Sequence, residues 1–298
     1  MTSKTAARRL LIIFNPAAGW RRRQRLAPVL AQLREHGCPL VLRETQAPGD
    51  AERFAAEVEP GAFDLVVVAG GDGTVNETIN GLARSGLPLA LIPLGTANVL
   101  AAEIGLRTDP AAVARCVALG QPRPIALGAA NGRRFILMAG AGFDAHVVAG
   151  VSVPMKRWLG KGAYVLSTLR QLLVFNFPSY EVLSDNTVHH AASVIVTNAH
   201  YYGGRFVCAP EASLESATLQ VCLFERGGRR AAIGYALALF SGRLPRLSSY
   251  RLIEARRIEV RGRPGEPIQV DGDGIGQLNV AIEVLPQALD LVFPPPPS

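Results

Sequence analysis

The sequence predicts an α/β domain followed by a β-rich domain, and two observations support this prediction. Over roughly the first 120 residues, short apolar runs alternate with segments of helical periodicity, as in βαβ units that build a parallel sheet. Beyond Pro122-Arg123-Pro124, short alternating or β-branched runs are separated by turn residues, which is typical of an antiparallel sandwich or barrel. We therefore predict domains at residues 1–124 and 125–298, with the last strand free to return to the first domain.

The predicted strands of the first domain are short buried runs, each followed by a helical segment. The valine-rich run Leu65–Ala69 is the clearest, because a strand covered on both faces is apolar throughout. Gly37 marks the end of the first helical pattern. In order, we predict strand Leu10–Phe14, helix Arg21–His36, strand Leu40–Glu44, helix Asp50–Val58, strand Leu65–Ala69, helix Thr74–Arg84, strand Leu89–Pro93 and a helix from Asn98–Ile104.

The second domain is predicted to consist mainly of strands, with two helical interruptions at about Leu159–Phe175 and Arg230–Phe240. The strand-like segments are bounded by turn residues, which favours antiparallel pairing. They are Arg134–Met138, Ser193–Thr197, Thr218–Phe224, Arg257–Arg261, Pro267–Val270, Gln277–Glu283 and Leu289–Phe293.

The composition and the net charge limit the classes of protein and of ligand to be considered. With 49% hydrophobic and 18% charged residues over 298 positions, the chain has a globular composition rather than a disordered one. A formal net charge of +7 favours polyanions such as nucleotides, nucleic acid or anionic lipid headgroups. Nucleic acid is disfavoured, because the basic residues are not interleaved with aromatic residues in a recognisable module.

The cysteines and the apolar runs indicate a cytoplasmic protein. None of the four cysteines forms a C-x-x-C pair, so we expect reduced thiols rather than disulfides or a zinc site. No apolar run approaches the length of about 18 residues that a membrane span needs. We expect a cytoplasmic protein that associates peripherally with the inner face of the membrane.

The segment from Leu65 to Glu77 is the strongest functional signal. A buried strand ends in Gly70-Gly71-Asp72-Gly73-Thr74, and a helix follows at once. Parallel sheets bind ligands at the carboxyl ends of their strands, glycines let backbone N–H groups approach phosphate oxygens, and a helix N-terminus attracts anions. Asp72 suits Mg²⁺, directly or through water. The alternative is an ordinary glycine-rich turn.

Two further loops have the same construction. Leu94-Gly95-Thr96-Ala97-Asn98 follows the fourth strand, although Thr96 or Asn98 would also serve as a plain helix cap. Asn15-Pro16-Ala17-Ala18-Gly19 follows the first strand, and Arg21, Arg22 and Arg23 after it suit phosphate charge. Three such loops on neighbouring strands would form one cleft.

These motifs resemble the diacylglycerol-kinase catalytic-domain family, which includes bacterial lipid kinases and sphingosine kinases and has NAD kinases and phosphofructokinases as distant relatives. The resemblance covers nearly the whole chain. It is carried by GGDGTVNETING at Gly70–Gly81, PLGTAN at Pro93–Asn98, NPAAG at Asn15–Gly19, GAGFDAHV at Gly140–Val147, GGRFVCAPEA at Gly203–Ala212 and QVDGDG at Gln269–Gly274.

The resemblance implies an ATP site in an interdomain cleft, with Asp72 organising Mg²⁺ and Asp271 matching the family's general base. Glu77 would contact the nucleotide or the metal network. The positions that match or flank the family's nucleotide contacts are Asn15, Thr45, Gly70, Gly71, Gly73, Thr74, Gly95, Thr96 and Asn98.

Asp271 also has a rationale from the residues alone. Pro267–Val270 reads as a short strand, and Asp271-Gly272-Asp273-Gly274 forms a sharp acidic turn at its end. Acids in such a turn can reach a substrate hydroxyl and take its proton, so Asp271 and Asp273 are catalytic candidates together with Asp72. The alternatives are a hairpin turn whose acids cap backbone amides, or a calcium-type loop.

Three positions depart from the family pattern. Asp273 stands where the family often has glutamate, and Val99 stands where many bacterial members have an acid. Glu215-Ser216-Ala217 replaces the Asp-Gly pair that helps hold a structural Mg²⁺ in several relatives, so we do not predict that metal site here.

The predicted activity is the ATP-dependent phosphorylation of a lipid hydroxyl, as in phospholipid biosynthesis, with diacylglycerol as the default acceptor. The segment Pro154–Phe177 combines an amphipathic pattern with Lys156, Arg157, Trp158, Lys161 and Tyr164, which suits an anionic membrane surface, although a plain core helix fits equally well. A kinase for a soluble substrate such as NAD and a non-catalytic nucleotide- or lipid-binding regulator are the alternatives. A homodimer is left open.

Overall fold

The structure, a computed structural model, describes residues 7–17, 20–151 and 161–296. Compact units form from Met1–Ile125 with Gln287–Ser298, and from Ala126–Pro286. We call them unit 1 and unit 2. Several predicted features fall outside the described residues: Ala18 and Gly19 of the first loop, the basic residues Lys156 and Arg157, Trp158, and the start of the predicted helix Leu159–Phe175. The side chains of Arg21, Lys161 and Tyr164 are likewise outside the description.

Unit 1 contains a parallel sheet with helices between its strands. Its elements are β1 (Leu10–Phe14), α1 (Trp20–Glu35), β2 (Leu40–Glu44), α2 (Asp50–Ala56), β3 (Leu65–Gly70), α3 (Asp72–Gly81), a 3-10 turn (Leu82–Arg84), β4 (Leu89–Pro93), α4 (Val99–Glu103), α5 (Pro110–Leu119), the start of β5 (Gln121–Ala130) and the end of β18 (Val280–Phe293). The strand order is β2-β1-β3-β4-β18. The predicted parallel α/β arrangement is confirmed.

The central strands of unit 1 are apolar because they are covered on both faces. Every residue of β1, β3 and β4 is buried. In the parallel register, Phe14 pairs with Ala69, and Gly70 pairs with Pro93. The carboxyl ends of these three strands therefore lie side by side, and the loops that follow them emerge at one edge of the sheet.

The predicted change of pattern at Pro122-Arg123-Pro124 falls at the exposed start of β5, where a proline that donates no hydrogen bond is tolerated. One helix of unit 1 was missed. Helix α5 was not predicted, although Asp109 accepts a 2.9 Å hydrogen bond from the N–H of Ala112 and Pro110 occupies the first turn, a common helix start.

Unit 2 consists of two large antiparallel sheets, a separate two-stranded sheet and three described helices. Its elements are the remainder of β5, β6 (Arg133–Phe135), β7 (Met138–Gly142), α6 (Phe143–Ala149), α7 (Lys161–Val174), β8 (Tyr180–Ser184), β9 (Thr187–Ala191), β10 (Ser193–Thr197), β11 (Tyr201–Tyr202), β12 (Phe206–Val207), β13 (Leu219–Phe224), α8 (Arg229–Phe240), a 3-10 turn (Leu244–Arg246), β14 (Tyr250–Ala255), β15 (Arg257–Arg261), β16 (Pro267–Val270), β17 (Asp273–Gln277) and the start of β18.

The core of unit 2 lies between its two sheets, which confirms the predicted β-sandwich. One sheet has the order β14-β13-β10-β7-β16-β17, and the other includes β18-β15-β8-β9. Val194 and Val221 from the first sheet share one buried cluster with Val182, Val260 and Ile282 from the second. Apolar side chains that alternate along each strand fill such a core.

The elements of unit 2 differ from the prediction in number and in bounds. The prediction has no counterpart for helix α6 or for strands β5, β8, β9, β11, β12 and β14. Two further stretches have different bounds. Arg134–Met138 is not one strand, because β6 ends at Phe135 and β7 begins at Met138. The backbone between them turns to Asp271 instead of to a neighbouring strand. The structure has one long strand, Val280–Phe293, where two strands, Gln277–Glu283 and Leu289–Phe293, were predicted. The end of this strand, from Gln287 on, belongs to unit 1.

Candidate active site

Asp72 joins two of the predicted loops of unit 1. Its carboxylate accepts hydrogen bonds from the N–H groups of Val99 at 3.2 Å and Leu100 at 3.3 Å, at the start of α4. Asp72 therefore caps the helix that follows the loop Leu94–Asn98. The predicted loop Gly70–Thr74 is divided between the end of β3, the N-cap Gly71 and the first turn of α3. Burial raises the pKa of the Asp72 carboxyl, and these hydrogen bonds oppose the rise.

The same two loops meet backbone to backbone. The N–H groups of Leu94 and Gly95 donate to the carbonyl of Gly70 at 2.8 and 3.1 Å. A Cβ atom at Gly95 would lie 2.6 Å from the Cα of Gly71, so the contact requires glycine. Gly71 is also the N-cap residue of α3 and has no side chain to cap that helix. The N–H groups at the start of α3 can therefore face an anion.

The first loop is tied to the same place. Asn15 Nδ2 donates to Thr74 Oγ1 at 3.0 Å, and Asn15 Oδ1 accepts from the N–H of Ala17 at 2.9 Å. Three predicted loops at the carboxyl ends of β1, β3 and β4 are thus brought together within unit 1.

Arginines of α1 reach these loops. Arg22 Nη1 donates to the carbonyl of Asn15 at 3.2 Å, and Arg25 Nη2 donates to the carbonyl of Pro93 at 3.0 Å. Burial lowers the pKa of the Arg22 guanidinium, and the charge of Arg25 lowers it further. Within the described part of the chain, neither arginine has a carboxylate partner. Two neighbouring cations without a counter-ion form a place for anionic groups.

Arg23 does not belong to this group. It forms a bidentate ion pair with Glu44, with both N–O distances at 2.6 Å. The expectation that Arg21–Arg23 act together is therefore corrected: Arg22 and Arg25 face the loops, and Arg23 is paired elsewhere. The helical period explains this sorting, since positions three apart share a face and neighbours do not. Arg25 was visible as part of the basic cluster but was not singled out for the loops.

The remaining predicted nucleotide positions occupy the same edge of the sheet. Thr45 follows β2, is buried, and donates its N–H to Phe14 at 2.9 Å. Glu77 accepts from the N–H of Ala51 at 3.2 Å and so supports the start of α2. Thr96 is exposed. Asn98 has a left-handed backbone (φ 48°), and its buried Oδ1 atom has no hydrogen-bond partner.

These residues fit a nucleotide better than they fit a metal cage. The N-terminus of α3, together with Arg22 and Arg25, which have no carboxylate partner among the described residues, is complementary to a polyphosphate. The Asn98 oxygen is free to accept a hydrogen bond from a ligand. In the described residues no three His, Cys, Asp or Glu side chains cluster as metal ligands. Asp72 is the one predicted metal ligand, and both of its oxygens already accept backbone hydrogen bonds.

Asp271 lies in the predicted hairpin turn of unit 2. Strand β16 ends at Val270, and Asp271 and Gly272 take positive φ values of 48° and 86°. The Asp271 carboxylate is buried and accepts hydrogen bonds from the N–H groups of Ile136, Leu137 and Met138 at 2.9 to 3.0 Å. These bonds fix the orientation of the carboxylate. Asp273, the first residue of β17, is exposed.

A series of hydrogen bonds that was not predicted from the sequence connects this turn to Asp144 and Tyr202. Gly272 N–H donates to Gln269 Oε1 at 2.8 Å, and Gln269 Nε2 donates to Asp144 Oδ2 at 2.8 Å. The hydroxyl of Tyr202 donates to the other oxygen of Asp144. Burial raises the pKa of Asp144, and the bonds from Tyr202 and Gln269 oppose the rise. Asp144 and Gln269 lay within quoted motifs, but only the fold brings them together.

An α/β unit with phosphate-type loops, together with an antiparallel β-sandwich, defines a class of two-domain kinases, and comparisons with known proteins agree. Residues 9–130 match the diacylglycerol kinase catalytic domain. Residues 138–293 match the YegS C-terminal NAD kinase beta sandwich-like domain. The chain belongs to the family of diacylglycerol kinases and YegS-like lipid kinases. The resemblance seen in the motifs is confirmed.

Similar proteins match over most of their length. A protein of Pseudomonas putida named probable lipid kinase YegS-like is 30% identical over 275 residues, which cover 89% of each chain. A diacylglycerol kinase of Bacillus subtilis is 30% identical over 273 residues, which cover 90% of this chain and 89% of the relative.

Solved structures show the same fold. The crystal structure of a diacylglycerol kinase from Bacillus anthracis superposes with a TM-score of 0.77 at 26% identity, covering 98% of this chain and 99% of the other. A second structure from that organism gives a TM-score of 0.80 at 24% identity, with coverage of 97% and 98%.

Proposed function

We propose that this protein transfers the γ-phosphoryl group of ATP to a hydroxyl of a diacylglycerol-type lipid. The observation that supports the donor half of the proposal is the position of Arg22 and Arg25. Both guanidinium groups lie beside three connected strand ends, and neither has a carboxylate partner among the described residues. Phosphoryl transfer depends mainly on positioning and on neutralising charge, and this arrangement can supply both.

The acceptor half of the proposal rests on the family and on Asp271. The names of the relatives point to lipid acceptors. The match to the YegS C-terminal domain covers residues 138–293, which include most of unit 2. In the proposed reaction the lipid hydroxyl oxygen bonds to the γ-phosphorus, the bond to the β-phosphate oxygen breaks, and ADP leaves. The hydroxyl proton passes to Asp271, a step worth about 10²–10⁴-fold in rate.

Mg²⁺ would neutralise charge on the phosphates when it is bound. Asp72 is the residue we propose to hold it, through water, because its two oxygens already cap α4. We further propose that Thr74, Gly71, Gly73, Thr96 and Asn98 contact the nucleotide and that Asp273 supports the acceptor side.

The acceptor is tested by incubating the purified protein with labelled ATP and a total membrane lipid extract, and with NAD in a parallel reaction. We expect label in a lipid product whose mass equals that of diacylglycerol plus one phosphate. Label in NAD alone would favour the soluble-substrate kinase. Tight ATP binding without any labelled product would favour a non-catalytic regulator.

A further inference from the structure

Helices α7 and α8 of unit 2 present large apolar side chains to solvent. Leu173 is 68% exposed, and Leu237 and Phe240 are each 65% exposed. Contiguous apolar patches are uncommon on soluble proteins and usually mark an interaction surface. The exposed members are Val165, Leu166, Leu169, Leu173 and Val174 on α7, and Ile233, Leu237 and Phe240 on α8.

Each helix has a defined inner face, so the exposure is a property of the fold. On α8, Ile233, Leu237 and Phe240 follow the spacing i, i+4, i+7 and form one stripe, while Tyr235 and Ala238 on the other side are buried. On α7, the buried Ser167 donates its hydroxyl to the carbonyl of Val147 at 2.7 Å and fixes the inner face.

The two helices touch. Arg229 Nη2 donates to the carbonyl of Leu173, the last turn of α7, at 2.6 Å. The ring of Phe240 meets that of Phe206 edge to face, with 4.8 Å between centroids, and Phe206 is itself partly exposed. We call the eight side chains together with Phe206 the α7–α8 surface.

The two segments that carry this surface contain basic residues and no acids. Arg226, Arg229, Arg230, Arg243 and Arg246 lie between positions 226 and 246, a segment that contains no Asp or Glu. Arg170 is exposed on α7, whose sequence is also free of acids. Across the described ranges, none of these six arginines forms an ion pair with a carboxylate.

We propose that the α7–α8 surface docks onto a membrane that carries anionic headgroups. Such a membrane offers an apolar layer for the exposed side chains and phosphates for the arginines. A second copy of the chain fits less well, because a two-fold contact through this surface would bring arginines against arginines. The inference deepens the proposed function, on which it rests for the source of the acceptor.

Vesicle co-sedimentation without ATP tests the docking. We expect the wild type to bind vesicles of phosphatidylcholine with phosphatidylglycerol more tightly than vesicles of phosphatidylcholine alone. The double variant Leu237→Ser/Phe240→Ser should bind at least about tenfold more weakly, because it removes apolar area that would enter the interface. Arg230→Gln/Arg243→Gln should weaken binding at low salt and much less at high salt.

Val188→Ser is the matched control, since Val188 is 52% exposed but lies on β9. It should bind vesicles as the wild type does. Circular dichroism checks that the serine variants are folded. Equal sedimentation of wild type and Leu237→Ser/Phe240→Ser, or no binding by the wild type, would overturn the proposal. So would a change from dimer to monomer in that variant with vesicle binding unaltered, which would assign the surface to a second copy.

Phosphorylation of a short-chain diacylglycerol that is dispersed without vesicles separates docking from function. The double variant should retain this activity while losing vesicle binding. If the wild type does not phosphorylate the dispersed diacylglycerol, the proposed function is contradicted, whereas the result on vesicle binding is unaffected.

Discussion

Arg22 and Arg23 are neighbours in sequence and differ in what surrounds them. Arg22 is half-buried beside the carbonyl of Asn15 and has no described carboxylate partner, whereas Arg23 is exposed and paired with Glu44. A partly desolvated cation without a counter-ion gains more from an anionic ligand than one that already has a partner. The two residues therefore form a matched pair for testing where the phosphates bind.

We expect Arg22→Met to weaken ATP binding about tenfold, equivalent to about 1.4 kcal/mol, because one charged donor beside the phosphates is lost. Arg23→Met should change ATP affinity by less than about twofold, within the range typical of an exposed ion pair. Isothermal titration calorimetry measures both. Equal losses of ATP affinity in the two variants would show that the net positive charge of α1, and not the position of Arg22, determines binding.

Asp72 predicts a pH dependence of stability. Its pKa is raised in the folded protein, so the folded state binds the proton more tightly than the unfolded state does. The stabilisation is complete below the unfolded pKa of about 3.9 and is lost as the pH rises through the higher folded value. The advantage of wild type over Asp72→Asn in unfolding free energy should therefore be largest near the unfolded pKa and should shrink towards neutral pH.

Urea denaturation of both proteins across this pH range measures the difference. Contributions from other groups, Asp144 among them, are common to the two proteins and cancel to a first approximation. A difference that grows with pH would mean that the folded protein favours the charged Asp72, because its backbone hydrogen bonds then outweigh its burial.

At the scale of elements, the close packing after β3 and β4 explains why Gly71 and Gly95 are glycines. The loops after β3 and β4 share backbone hydrogen bonds and leave no room for a Cβ between them. The sequence located both strand-to-helix connections, because strand ends and glycine clusters are local features, although α3 begins at Asp72 and not at the predicted Thr74. Their mutual contact was not predictable, since it depends on the register of β3 with β4.

Gly95→Ala should separate the two loops. Overpacking of this kind costs about 1–3 kcal/mol in stability, and the displaced loop should raise the KM for ATP about tenfold or more. Gly234→Ala is the control: a Cβ there meets nothing within 4 Å, and alanine in helix α8 should stabilise by about 0.5–1 kcal/mol. Thermal unfolding and steady-state kinetics measure the effects. An unchanged KM for ATP in Gly95→Ala would show that the contact between Gly71 and Gly95 is not needed for nucleotide binding.

At the scale of the whole chain, the fold class of each unit was predictable. Several elements, among them β8, β9, β14 and α6, and the partners of individual polar groups were not predicted. Alternating apolar runs predicted a parallel α/β unit and a β-sandwich, because burial imposes the period of each element. Helix α5 was missed even though it carries its own start signal at Asp109-Pro110. Asp271 was found from its turn, yet its three backbone donors lie more than 130 positions away in sequence.

The exposed face of α8 shows another limit of sequence reasoning. Its apolar residues have the spacing of a core-facing stripe, and only the structure shows that Tyr235 and Ala238 face inwards instead. The plain core helix considered for Pro154–Phe177 does not fit the described residues of α7 either, because five of its apolar side chains are exposed. Within the described residues, no helix is both long and apolar enough to cross a bilayer.

The most direct test of the central claim is the rate of γ-phosphate transfer from ATP to a diacylglycerol by wild type and by Asp271→Asn. The variant removes the proposed base but keeps the shape of the side chain, and losing an acceptor for buried N–H groups should cost about 1–3 kcal/mol in stability. Below its unfolding temperature, we expect kcat per folded molecule to fall about 10²–10⁴-fold while ATP affinity is kept. Wild-type turnover by the folded variant, or no lipid phosphorylation by the wild type, would contradict the proposal of a lipid kinase with Asp271 as its base.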